Sequence, residues 1–132
     1  MANALARGME KQGLKVDCIK VDKIDIHTLV EYDFLAIGGP THGFGISKPI
    51  KEFLQKLEQV ELKDKKAFAF DTKFSSRFAG SAGKGIEKKL KKLGMHIIKQ
   101  HSSAIVKGGE GPLVAGMEER FTQIGTEITK LL

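Results

Sequence analysis

The sequence predicts an α/β three-layer sandwich, with helices covering both faces of a mostly parallel, doubly wound sheet. Two observations carry this expectation. Phe34 to Gly38 and Ala67 to Phe70 are short runs without a polar residue, which suits central parallel strands buried on both faces. Each is followed by a stretch of glycine or small polar residues and then by an apolar stripe at helical spacing, so strands and helices alternate along the chain.

The elements follow in order. Ala2, Leu5, Ala6 and Met9 recur at helical spacing, and Gly13 stands where a C-terminal glycine ends a helix; no start signal precedes them. From Leu14 to Lys20, Leu14, Val16 and Cys18 alternate with Lys15 and Asp17, which reads as a strand with one better-buried face near a sheet edge. Cys18 is then a small core residue. Val21 to Asp33 is a polar connection in which Ile24, Ile26, Leu29 and Val30 form a short helix or turn against the sheet. After the Phe34–Gly38 strand, Pro49 suits a first helical turn, and Ile50, Phe53, Leu54 and Leu57 give an apolar stripe that ends near Val60. Beyond the Ala67–Phe70 strand, Asp71 to Ser81 carries no helix or strand signal. Ile86, Leu90 and Leu93 mark one face of a lysine-rich helix closed by Gly94, and His96 to Val106 supplies a last strand. Gly108 to Pro112 is a turn-rich loop. Val114 to Leu132 is a final amphipathic helix with Val114, Met117, Phe121, Ile124, Ile128 and Leu131 inward.

Size and charge narrow the function classes. The 132 residues read as one domain, long enough for a single layered core. Twenty-two basic and sixteen acidic residues leave a formal charge of +6, which permits a polyanion or an acidic protein as partner and requires neither. Lys84, Lys88 and Lys92 lie four residues apart with Lys89 and Lys91 beside them, and read as a solvated helix face. No aromatic platform or base-reading motif accompanies them, so no nucleic-acid partner is expected. A lone cysteine makes no intramolecular disulfide, and no apolar run approaches the roughly 20 residues that span a bilayer. The opening residues lack an apolar signal-peptide core, so the expected compartment is the cytoplasm. His27, His96 and His101 show no metal-ligand spacing, and no Ser-His-Asp order or carboxylate pair points to hydrolysis.

Function is expected in the loops after the two apolar strands. In an open parallel sheet, ligands bind outside the carboxyl ends of the strands. The first loop carries Pro40, Thr41, His42, Gly43, Phe44 and Gly45, a set of hydroxyl, imidazole and aromatic groups suited to a flat ligand. The second begins Asp71-Thr72 and contains Phe74 and Phe78. Asp71 can cap its own loop through its side chain, and the two phenylalanines can equally fold the loop onto the core.

With this order on the page, the chain resembles the flavodoxin-like family, in particular flavodoxin domains with a Gly-Gly-Pro-Thr-His loop followed later by Phe-Asp-Thr. The pieces from Gly39 to Phe44 and from Phe70 to Thr72 carry the resemblance, which runs over essentially the whole chain. It implies a sheet of order 2-1-3-4-5 with flavin mononucleotide (FMN) at the switch point between strands 1 and 3. It places Pro40 to Ile46 beside the isoalloxazine ring, with Thr41 near the ring edge and His42 or Phe44 against a ring face. Gly43 and Gly45 would let the backbone approach or flip. Asp71 to Ser81 would cover the pyrimidine edge, with Thr72 as a hydrogen-bond partner and Phe74 or Phe78 as the second stacking group. The implied activity is electron transfer to a redox partner protein. That partner would differ from those of the usually acidic flavodoxins, because this chain is basic.

The family also begins with a buried strand and a Ser/Thr-Gly-Asn-Thr-type loop that holds the flavin phosphate at a helix N-terminus. About 15 to 20 residues of that pattern have no counterpart here, since Met1 falls inside the first helix. Weakened FMN affinity and a slot between the Leu14 and Phe34 strands are therefore expected, with rearranged pairing or homo-oligomerisation through the incomplete sheet. The alternatives are a flavodoxin-fold remnant or interaction module without flavin, and an FMN-dependent NAD(P)H:quinone reductase.

Overall fold

A computed structural model describes residues 1–42, 45–74, 80–107 and 113–132. Its sheet is built on β1 (Phe34–His42) and β3 (Lys66–Lys73), which run parallel with Phe34 opposite Lys66 and Pro40 opposite Thr72. A two-residue strand β2 (Gly45–Ile46) folds back antiparallel on Thr41 and His42. Along the far edge of β3 lie β4 (His96–Ile97), beside Lys66 and Ala67, and β5 (Ser102–Ile105), beside Phe70 to Lys73, both parallel to it.

The period-two alternation of β3 divides the core. Ala67 and Ala69 point to one face, where they meet Leu35 and Ile37 of β1, Ile50, Phe53 and Leu54 of α2 (Lys48–Lys56), and Ile86 and Leu90 of α3 (Ala82–Lys92). Phe68 and Phe70 point to the other face, against Leu5 and Met9 of α1 (Ala2–Glu10) and Phe121, Ile124 and Ile128 of α4 (Met117–Leu131). These are the three layers the sequence predicts. Two glycines at the end of the apolar run of β1 permit close contacts with their neighbours. A Cβ on Gly38 would run into the ring of Phe70, and one on Gly39 would lie 2.7 Å from Ile50 Cγ1. The apolar run therefore ends in residues without side chains because neighbours occupy that space.

Some expectations are corrected and others gain exact bounds. Leu14–Lys20 forms no strand. Its alternation is present, but a cleft separates it from β1, so no ladder holds it; Tyr32 Oη donates instead to Asp17 Oδ2 (2.5 Å). Cys18 is consequently exposed rather than a core residue. The polar connection contains a 3-10 helix over Ile26–Glu31, started by Asp25, whose Oδ1 accepts the His27 amide. The α2 helix stops at Lys56 and tightens into a 3-10 turn over Leu57–Gln59. The last helix begins at Met117 rather than Val114, whose amide pairs with the Ile105 carbonyl, and Leu131 is half exposed at its end. The Gly108–Pro112 loop lies outside the described residues.

The single strand expected over His96–Val106 is interrupted. The His101 amide donates to Glu87 Oε2 of α3 (2.7 Å) instead of joining the ladder, and His101 Nδ1 lies 3.1 Å from the same oxygen. Burial pushes the Glu87 carboxyl up, but the His101 amide and imidazole together with Lys91 outweigh it and hold the group below its ordinary 4.5. A carboxyl whose folded pKa is depressed stabilises the fold above its unfolded value, and that contribution is lost as pH falls through the folded one. Urea midpoints followed from neutral pH to about pH 3 should thus decline less steeply in Glu87→Gln than in the parent chain. Equal slopes would show that Glu87 is not coupled to folding.

Candidate functional site

The C-terminal ends of β1 and β3 lie side by side, so the two loops singled out in the sequence leave the sheet together. Register fixes this: Gly39 stands opposite Asp71 and Pro40 opposite Thr72. The pairing continues further than the apolar runs, since β1 reaches His42 and β3 reaches Lys73. Pro40, Thr41, His42, Asp71 and Thr72 therefore stand on strand ends rather than in free loop, and Gly45 stands on β2.

One carboxylate ties this edge together. Asp71 is fully buried on the face toward α3. Its Oδ2 accepts from the Ser81 hydroxyl (2.7 Å), the Gly83 amide (2.8 Å) and the Thr41 hydroxyl (3.2 Å). Thr41 Oγ1 in turn accepts the Ala82 amide (3.0 Å), and Ser81 Oγ accepts the Lys84 amide (3.3 Å) as helix N-cap. Three donors and the positive end of the α3 dipole compensate the buried negative charge. Asp71 Oδ1 is also buried and has no partner among the described residues. The first-turn amides of α3 are thus engaged by protein groups.

The side chains available to a ligand are the others. Thr72 is half-buried, His42 and Pro40 are exposed at the end of β1, and Phe74 is 48% exposed just past β3. The structure brings Pro40 and Thr72 together and joins Thr41 to Asp71. Gly43, Phe44 and Phe78 lie outside the described residues. Sequence reasoning missed Ser81 and the Gly83 amide as partners of Asp71. A serine immediately before the Ala82–Lys92 helix is an N-cap signal that could have found the first of them.

An open parallel sheet with paired loops at its strand ends defines an α/β domain of the kind that receives a ligand at that edge. The flavodoxin family model matches residues 1–124, and the chain belongs to the flavodoxin family. Among solved structures, oxidised Flavodoxin 1 from Bacillus cereus superposes with a TM-score of 0.84 at 22% identity, covering 99% of this chain and 88% of that one. A flavodoxin from the domain Archaea gives 0.82 at 20% identity, with 97% and 85% covered. Rubredoxin oxygen:oxidoreductase from Desulfovibrio gigas gives 0.77 at 20% identity; the match takes 98% of this chain and 31% of that one. At these identities the likeness is one of fold. A comparison with curated proteins finds no match. No helix among the described residues is long and apolar enough to cross a membrane.

Asp71→Ala removes the shared acceptor and leaves the Gly83 amide and the Ser81 and Thr41 hydroxyls to find new partners. The expected cost is about 3 kcal/mol in urea unfolding, with faster hydrogen exchange at the Gly83 amide. Unchanged exchange at Gly83 would mean the carboxylate does not hold α3.

Proposed function

We propose that the chain binds the isoalloxazine ring of FMN across the C-terminal ends of β1 and β3, and passes electrons between protein partners. The observation that carries this reading is the adjacency of Pro40 and Thr72, which sets the two loops side by side above an edge fixed by Asp71. Membership of the flavodoxin family supports it. Bound flavin supplies the one- and two-electron redox chemistry.

The residues divide the work between holding and contacting. Asp71, Thr41 and Ser81 fix where the loops start and are not free to bond the ring. Backbone groups at Pro40 and Thr72 meet the ring edge, and the half-buried Thr72 adds a hydroxyl beside them. His42 and Phe74 offer flat faces on either side, where stacking on the ring adds roughly 0.5–1.5 kcal/mol beyond area burial. Phe44 and Phe78, outside the described residues, are the further candidates for the same stacking role.

The phosphate is served differently. The α3 amides that would attract an anion are already bonded to Asp71, Ser81 and Thr41. At this edge recognition should therefore rest on the ring, since the first-turn amides of α3 are already engaged. Lys84, Lys88, Lys91 and Lys92 are exposed on α3, whose N-terminus adjoins this edge, and favour an acidic redox partner.

Titration with FMN and with riboflavin, followed by quenching of flavin fluorescence, tests the reading. The expected result is saturable binding of both with affinities within about threefold, a difference of well under 1.4 kcal/mol. Absence of binding by either flavin would overturn it and leave the flavodoxin fold serving as an interaction module.

A further inference from the structure

We propose that the layer formed by α2 and α3 is the docking face for an acidic redox partner protein, which seats on the lysine-bearing first turns of these helices beside the loops of β1 and β3. The redox class of that partner rests on the electron-transfer reading; the charge and position of the face do not.

The positive charge of the chain is one-sided. On one face of the sheet, α2 and α3 carry eight lysines and two glutamates, whereas α1 and α4 on the other carry three basic and four acidic residues. The excess on α2 and α3 alone equals the +6 of the whole chain.

Burial sets which of these lysines reach solvent. On α3, Ile86 and Leu90 turn to the core, which leaves Lys84, Lys88 and Lys92 exposed along the opposite face. The acids of the layer do not neutralise that face. Glu87, the one acidic residue of α3, turns to His101 and holds Lys91 on its flank (3.3 Å), while Lys89 turns the other way to Glu58. Lys84, Lys88 and Lys92 make no ion pair among the described residues. Their spacing sets like charges about 6 Å apart along the axis, a repulsion that the helix bears without a counter-charge of its own.

The helix starts sharpen the asymmetry. The α2 helix opens Lys48-Pro49-Ile50-Lys51, Lys84 is the third residue of α3, and neither helix has an acid in its first turn. A lysine there faces the positive end of the helix dipole; α4 instead follows the usual preference, with Glu118 and Glu119 in its first turn. Both basic turns adjoin the proposed flavin edge. The α2 helix follows β2, which pairs with Thr41 and His42, and Lys84 follows Gly83, whose amide donates to Asp71. A carboxylate brought to either turn meets lysine charge and a helix N-terminus together, so acidic groups are drawn to the flank of that edge.

The residue types select a protein over other polyanions. No arginine, the side chain that grips phosphate bidentately, occurs in α2 or α3. Strongly hydrated lysines suit a wet encounter in which charge raises the association rate. Phe53, the one aromatic residue of these helices, is buried, so they offer bases no stacking platform. Neither helix exposes a large hydrophobic side chain for insertion into a lipid surface.

The test uses the full chain without flavin, which makes its outcome independent of the flavin titration. The probe is a fluorescein-labelled, alanine-based helical peptide with glutamate at every fourth position, followed by anisotropy, with a labelled thymidine oligonucleotide of similar length for comparison. The expected result is saturable peptide binding that weakens at least about tenfold between about 20 and about 200 mM NaCl. Lys84→Glu combined with Lys88→Glu should weaken it at least about tenfold at low salt. Lys11→Glu combined with Lys130→Glu, the same change of net charge on the other layer, should alter it by less than about twofold. Reversing Lys84 puts an acid in the first turn of α3, so the first double variant should keep the circular dichroism spectrum and Tm of the parent. Three results would overturn the proposal. One is a parent chain that does not bind the peptide. The second is equal loss in both double variants, which would mean attraction by net charge rather than by a face. The third is tighter binding of the oligonucleotide with the same dependence on Lys84 and Lys88, which would assign the face to nucleic acid. Peptide binding by a chain that takes up neither FMN nor riboflavin would uphold the acidic-protein face and overturn its redox role.

Discussion

A carboxylate removed from water must be compensated by fixed donors, and at the end of β3 that demand organises the surrounding structure. Asp71 draws the Ser81 hydroxyl and the Gly83 amide toward the sheet, which fixes where α3 begins. It also draws in Thr41, which fixes the end of β1. One side chain thereby joins both strands and the helix that packs across them. The pleat explains why this is possible: Ala67, Ala69 and Asp71 share the face that α3 covers, while Phe68 and Phe70 face α1 and α4. A residue one position earlier or later would point away from the helix terminus.

This arrangement separates what is structural from what is available. An uncapped helix N-terminus at a sheet edge is an anion site, but α3 has satisfied its first-turn amides internally. The groups left available at this edge are backbone groups and the faces of Thr72, His42 and Phe74. On the proposed reading, a ligand there would be chosen by shape and stacking more than by charge. The exposed lysines of α3 lie outside that network and, on the proposed reading, would act at longer range on approaching partners.

Much of this was legible in the sequence, and what was not has identifiable causes. The apolar runs at Phe34 and Ala67 declared central strands because a strand buried on both faces has no room for polar residues. The helical stripes on α2, α3 and α4 were equally plain. Leu14–Lys20 failed as a strand because alternation reports which face is apolar but not whether a partner lies within hydrogen-bonding distance. His96–Val106 failed as one strand because a distant carboxylate, Glu87, captured the His101 amide. At the site, the two loops were identified from their residues, whereas the role of Asp71 depended on the contact with α3, whose register no local pattern records. Its reading as a loop-capping residue came nearest, and the serine at position 81 held the missing half of that signal.

The central claim is that the Asp71-anchored ends of β1 and β3 form the face that receives a flat redox cofactor. It is tested most directly by titrating riboflavin into the ¹⁵N-labelled chain and following each amide by NMR. The account predicts saturable shifts concentrated at Thr41, His42, Thr72, Lys73 and Phe74, with the amides of α2 and the far end of α4 unmoved. Shifts centred instead on the cleft beside Ala36, or spread over the surface without saturation, would contradict it.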